Sequence, residues 1–133
     1  MSKENVEIVR DHFEATNEGD FPRAMTHYAE DVELIVHGGF IETGSFKGRE
    51  EVGRWFGDWF RSFQRGYHFN LDEMRDLGGD VLVVASHGGR GRTSGVAVQG
   101  SNAYIYRVQD RKIAHVDMYP SRDEALEAAG LSG

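Results

Sequence analysis

The chain has 133 residues, 39% hydrophobic and 11% aromatic, with 8 Phe, 5 Tyr and 2 Trp; this excludes intrinsic disorder and is enough for one core that buries about two-thirds of the unfolded surface. A formal charge of −7, with the 15 basic residues scattered along the chain, argues against binding through phosphate neutralisation, so no nucleic-acid partner is expected. With 0 Cys there is no disulfide, thiol nucleophile or thiolate metal site, and no apolar run is long enough to span a membrane; one cytoplasmic domain, residues 1–133, is expected.

Ser2 can cap a first helix whose apolar positions Val6, Val9 and Phe13, backed by Ile8, follow the 3.6 period as far as Asn17-Glu18-Gly19. Asp20 caps a short second helix, in which Pro22 is tolerated in the first turn and Phe21, Ala24, Met25 and Tyr28 share one face. Asp31 to Val36 reads as a strand, and Gly38-Gly39 and Gly44 break the segment after it. The third helix opens at Gly48-Arg49-Glu50-Glu51 and carries the stripe Val52, Trp55, Phe56, Trp59, Phe60 and Phe63. Four strands come next: Tyr67 to Leu77, Val81 to about Arg90, Val96 to Val108 and Ile113 to Tyr119. Gly78-Gly79-Asp80 turns the first pair and Gln109-Asp110-Arg111-Lys112 the last. Ser121 and Glu124 form a capping box for a last helix, Asp123 to Ala129, closed by Gly130. Helices segregated from a largely antiparallel sheet make the α+β class.

A tight turn about Asp110-Arg111 predicts that Asn102 opposes Tyr119, Tyr104 opposes Asp117 and Tyr106 opposes His115, all six on one face. Ala103, Ile105, Val116 and Met118 then share the other. The polar-aromatic face suits a pocket wall and the apolar face suits helices or a second subunit; a bulge would slip the pairing by one residue and mix the two sets. Asp117, between Val116 and Met118 and facing tyrosines, reads either as a partly desolvated acid/base or as an ion-paired structural side chain beside His115 and Arg107. His115 and His87 can act as bases, but none of the six His forms a metal-ligand spacing, so no metal is expected. His37 ends the first strand at a loop, as a pocket rim or a solvated side chain. Trp55 and Trp59 can stack a flat ligand or fill the core, and Tyr28, if buried, needs a partner for its hydroxyl. One Gly89-Arg90-Gly91-Arg92 stretch in an acidic chain reads as a turn, and no nucleophile elbow or nucleotide loop is present.

Five segments carry a resemblance in order along the chain: Asn17-Glu18-Gly19-Asp20, Asp31-Val32-Glu33, Phe46-Lys47-Gly48-Arg49-Glu50-Glu51-Val52, Ser94-Gly95-Val96 and Glu124 to Leu131. Together they resemble the SnoaL-like branch of the nuclear-transport-factor-2-like (NTF2-like), or ketosteroid-isomerase-like, superfamily over essentially the whole chain. The resemblance implies a cone in which a curved antiparallel sheet wraps three helices around a cavity, with homodimers formed through the convex sheet face. It implies a last-strand acid/base, as in SnoaL-type polyketide cyclases, at Asp117. Against ketosteroid isomerases, the first-helix Tyr position is occupied by His12, the base position falls near Val36 and His37, and the oxyanion-hole acid position is occupied by Asn102. The Arg-x-Asp strand pair of limonene-epoxide hydrolases is missing.

The expectation is therefore a pocket for a small hydrophobic molecule, working without cofactor or metal as an isomerase- or cyclase-like proton-transfer enzyme. Asp117, His115, Tyr104 and Asn102 are its candidate catalytic residues. Tyr106, Tyr119, His37, Trp55, Trp59, Tyr28, His12 and Phe13 are its candidate pocket residues. A non-catalytic binding or structural homodimer of the same fold is the alternative.

Overall fold

A computed structural model describes residues 2–38, 44–61, 68–91 and 94–131. Its elements run α1 (Ser2–Asn17), α2 (Phe21–Thr26), β1 (Tyr28–Val36), β2 (Gly44–Lys47), α3 (Arg49–Arg61), β3 (His68–Asp76), β4 (Asp80–Arg90), β5 (Ala97–Gln109), β6 (Lys112–Tyr119) and α4 (Arg122–Ala128). The expected Ser2 cap, the Phe60 and Phe63 end of the third-helix stripe, and positions Gly39, Phe40, Tyr67 and Arg92 lie outside the described residues and side chains. No helix among the described residues is long and apolar enough to cross a membrane.

The six strands form one open, curved sheet in the order β2-β1-β6-β5-β4-β3. Consecutive strands from β3 to β6 pair antiparallel as a meander, whereas β1 and β6 lie parallel, with Leu34 opposite Val116 and Val36 opposite Met118. Tyr28 begins β1 instead of ending α2. Its carbonyl accepts from Arg49 Nε at 3.1 Å and Nη2 at 2.6 Å, and the carbonyl of His27 accepts from Ile113 N at 2.7 Å. These tertiary bonds outcompete the helical periodicity of the segment. The stretch read as broken by Gly44 is β2, an edge strand held by its antiparallel pairing to β1.

The concave face packs on the helices: Val9 and Phe13 of α1 and Val52 of α3 share one core with Val32, Leu34, Tyr104, Tyr106, Val116 and Met118. Asn17 ties the end of α1 to β3, because its side chain both donates to the carbonyl of Phe69 and accepts from the Phe69 N–H, each at 2.8 Å. The convex face is covered in part by α4, where Ala125 and Leu126 pack with Leu82, Ala103, Ile105 and Tyr119. Ser121 Oγ accepts from Glu124 N at 3.2 Å and caps this seven-residue helix. Ser121→Ala is expected to cost about 0.5–2 kcal/mol in urea denaturation; an unchanged midpoint would mean that packing alone holds α4.

The last hairpin departs from its expected register. Asp110 and Arg111 both take positive φ (51° and 64°), the two-residue turn that leaves Gln109 opposite Lys112 and Val108 opposite Ile113. A bulge then intervenes: Arg107 opposes His115, so Ala114 has no partner on β5 and every later pair is shifted by one. Tyr104 therefore opposes Met118, Tyr106 opposes Val116 and Ile105 opposes Asp117. The six residues expected on one face are split. Asn102, Tyr104 and Tyr106 belong to the concave face, and His115, Asp117 and Tyr119 to the convex one.

Candidate functional site

Helices α1 and α2, the start of β1 and the concave face enclose a cavity of about 40 Å³, room for about three waters. Its apolar wall includes Phe13, Met25, Phe56 and Phe69, while Phe21, 44% exposed, stands at its rim. Its polar groups come from His12, Thr16, Tyr28, Tyr104 and Tyr106.

His12 is reached by the same periodicity that buries Val9 and Phe13, and it is 7% exposed. Its Nδ1 lies 3.0 Å from the carbonyl of Ala24, which can only accept, so Nδ1 carries the proton. Nε2 is then the lone-pair nitrogen, and it accepts from the Tyr28 hydroxyl at 3.1 Å. Burial holds His12 down near 4 against its ordinary 6.5. Burial likewise pushes the Tyr28 and Tyr106 phenols well above their usual range. At neutral pH the cavity therefore presents an uncharged imidazole, hydrogen-bonded to an uncharged phenol whose oxygen keeps lone pairs for an occupant.

The carbonyl that orients His12 is itself fixed by a charged clasp. Arg23 of α2 donates to Asp11 of α1 and, at 2.6 Å, to Glu18; His27 Nε2 stands 2.6 Å from Asp11. Hydrogen bonds from Arg23 and His27 hold the Asp11 carboxyl down to about 2, so it remains an anion across the ordinary pH range. The clasp locks α2 over the end of the cavity.

A second line of ionisable side chains crosses the convex face. Glu33 Oε1 lies 3.3 Å from His115 Nδ1, His115 Nε2 lies 3.2 Å from Asp117 Oδ2, and Asp117 Oδ1 lies 2.9 Å from His37 Nε2. The His37 ring stacks on Tyr119 with centroids 4.3 Å apart and planes 4° from parallel. Burial and the neighbouring Asp117 raise the Tyr119 phenol. Asp117 is thus a carboxylate set between two imidazoles on the opposite side of the sheet from the cavity.

Of the residues expected from the sequence, the structure brings His12, Phe13, Tyr28, Tyr104 and Tyr106 to the cavity, and Asn102 to the same concave face. His37, His115, Asp117 and Tyr119 are together, but on the convex face. Trp55 packs against Phe46 and Phe56 in the core, and Trp59 is 38% exposed on α3. Thr16, Met25 and Phe69 line the cavity and were not expected there. The pairing of His12 with Tyr28 did have a sequence signal: a His three residues after Val9 on a buried stripe, and a Tyr hydroxyl in need of a partner.

The SnoaL-like domain model matches residues 9–116. Among solved structures, an NTF2-like protein from Burkholderia thailandensis E264 is 28% identical with a TM-score of 0.77, covering 97% of this chain and 98% of that one. A protein of ketosteroid isomerase-like fold from Catenulispora acidiphila DSM 44928, in complex with trimethylamine, is 21% identical with a TM-score of 0.73, over 95% and 94% of the two chains. A protein assigned as a SnoaL-like polyketide cyclase from Jannaschia sp. CCS1 is 17% identical with a TM-score of 0.77, over 89% and 85%. No curated protein matches the sequence.

Proposed function

Because the chain belongs to the SnoaL-like domain family, we propose that it binds a small, mostly apolar carbonyl or enol compound inside the cone and moves a proton on it with His12 and Tyr28. The observation that carries this reading is the buried His12–Tyr28 hydrogen bond opening on an apolar cavity. A proton leaving the occupant passes to the Tyr28 oxygen as the Tyr28 proton passes to His12 Nε2, and the return path delivers it to a second position. Tyr104 and Tyr106 supply further phenols along the same wall. An occupant larger than a few waters must displace rim side chains, and Phe21 and Met25 are placed to yield, Met25 through its flexible thioether. The convex face, with its half-buried line from Glu33 to Tyr119, is the surface proposed for a second copy of the chain.

The test is exchange of the protons next to the carbonyl of 2-tetralone, followed by NMR in deuterated buffer. Wild type is expected to accelerate exchange, His12→Asn to lower that acceleration by about 100-fold or more, and Asp117→Asn to leave it within about twofold, since Asp117 does not reach the cavity. Loss of exchange in Asp117→Asn alone would return the chemistry to the last strand. A second reading, a non-catalytic binder, is favoured by the place of Asp117 outside the cone; binding of 2-tetralone with no acceleration of exchange would select it.

A further inference from the structure

We infer that Gly53 of α3 sets the size of molecule the cone accepts: the notch it leaves holds the Met25 thioether back against α3, and a side chain there would press it into the cavity. The inference rests on the proposal that the cone binds a small molecule, and it names the residue that limits how large that molecule can be.

Gly53 lies one turn into α3, in ordinary helical backbone. Glycine inside a helix is less favourable than alanine, and a positive φ or a close approach is the usual reason for it. Gly53 does not take a positive φ, which leaves the close approach. A Cβ on Gly53 would stand 2.8 Å from Met25 Cε and 3.4 Å from Met25 Sδ, so the end of the Met25 side chain fills the space an alanine methyl would need.

Met25 of α2 packs against the main core and lines the cavity, as does Phe56, one turn after Gly53 on α3. The two helices therefore wall the same cavity and meet where the thioether sits on the glycine. The flanks of α2 are held differently. Toward α1, the Ala24 carbonyl, Arg23 and His27 engage His12 and Asp11 through hydrogen bonds of fixed direction. Toward α3, Met25 makes a van der Waals contact that can slide, because an unbranched thioether has no directional partner to keep. An occupant too large for a cavity of about 40 Å³ gains room at this seam more readily than at the clasp.

The direction in which Met25 yields follows from its surroundings. A methyl group added at Gly53 drives the end of Met25 away from α3. Escape into solvent would expose an apolar group that has an apolar cavity beside it, so the methyl moves into the cavity and narrows it. The atoms displaced are the far end of a flexible side chain, so the fold survives the change. Glycine here gives up helix stability for cavity width, the trade expected of a residue kept for binding.

The experiment uses NMR titrations with cyclohexanone and 2-tetralone, which share a cyclic ketone and differ by one fused ring. Wild type, Gly53→Ala, Met25→Ala and the double variant are compared, with an isotope-labelled Met25 methyl group where Met25 is present. Gly53→Ala is expected to weaken 2-tetralone about tenfold and cyclohexanone by less than about twofold. It is also expected to move the Met25 methyl resonance in the ligand-free protein, as the group shifts against the aromatic wall. With Met25 cut back to alanine, Gly53→Ala is expected to change 2-tetralone binding by less than about twofold, because the group it pushes is gone. If Met25→Ala fails to fold, the two probes and the methyl resonance in Gly53→Ala decide the matter. Equal weakening of both probes, an unchanged affinity for 2-tetralone in Gly53→Ala, or a loss that persists without Met25 would overturn the role of Gly53 while leaving the cone as a binding site. Binding of neither probe to wild type would overturn both.

Discussion

Between pH 6.5 and about pH 4 the wild-type protein is expected to lose about 3 kcal/mol of stability that a His12→Asn variant does not lose. His12 is buried, and its folded value, about 4, lies below the 6.5 of a free imidazole. In that window the unfolded chain takes up a proton at His12 and the folded chain does not, so falling pH favours unfolding by about 1.4 kcal/mol per unit. The contribution is complete above pH 6.5, declines through the window and levels off once the folded imidazole also protonates. Asp11 acts in the same direction but lower, between its ordinary 3.8 and about 2. His87 is also depressed by burial, so the decisive quantity is the difference between wild type and variant, which cancels every other group. Asn places an amide N–H where Nδ1 stood and can keep the bond to the Ala24 carbonyl, although it leaves the Tyr28 hydroxyl to find another acceptor. Urea denaturation at several pH values measures the difference, and parallel curves for the two proteins would show that His12 is not held neutral by burial.

Deleting Ala114 is expected to leave the protein folded with the faces of β6 unchanged. Ala114 is the residue without a partner on β5, so joining Ile113 to His115 keeps Arg107 opposite His115, Tyr106 opposite Val116 and Tyr104 opposite Met118, and simple alternation from Ile113 still points Val116 and Met118 inward and Asp117 outward. The register that would change the faces is the one that keeps Ala114 and sets it opposite Arg107, with no bulge. Asp117 would then oppose Tyr104, and His115 would oppose Tyr106, on the concave face. Val116 and Met118 would turn outward, giving up burials worth roughly 1.5–3 kcal/mol each. The parallel pairs Leu34 with Val116 and Val36 with Met118 would be lost, and the carboxylate would enter the apolar core away from His37. That loss is comparable with the total stability of a typical domain, roughly 5–15 kcal/mol, so the chain bulges wherever Ala114 is present. Ala114→Gly, which keeps the bulge, is expected to cost no more than about 1 kcal/mol. Far-UV circular dichroism and amide-proton dispersion report the outcome, and an unfolded deletion variant would show that the bulge itself, beyond the register it sets, is needed to hold β6.

The local elements were legible because their signals are local. The stripe of α1, the Asp20 and Ser121 caps, the Gly78-Gly79 turn and the two-residue Asp110-Arg111 turn each depend on residues within about one turn of each other, and each stands where the pattern puts it. The resemblance spanning those elements carried the fold as well. Tyr28 and β2 were misread for the same reason in reverse: their conformation comes from Arg49, Ile113 and β1, which are distant in sequence.

The candidate site divides along the same line. His12, Phe13 and Tyr28 could be expected in the cone from burial periodicity and from the need of a phenol for a partner, but only the approach of α2 to α1 supplies the Ala24 carbonyl that fixes the imidazole tautomer. Asp117 shows what the sequence by itself leaves open. Its strand alternates between Val116 or Met118 and ionisable side chains, and β5 alternates between tyrosines and Ala103 or Ile105, so either register buries apolar groups on both faces. A single unpaired residue leaves almost no mark on a period-two pattern, yet it turns every later side chain to the other side of the sheet. The sequence determined which side chains alternate along β5 and β6; the bulge at Ala114, the parallel pairing with β1 and the packing of α4 decided which of them face the cone, because burial rewards a register only once the covering elements are in place.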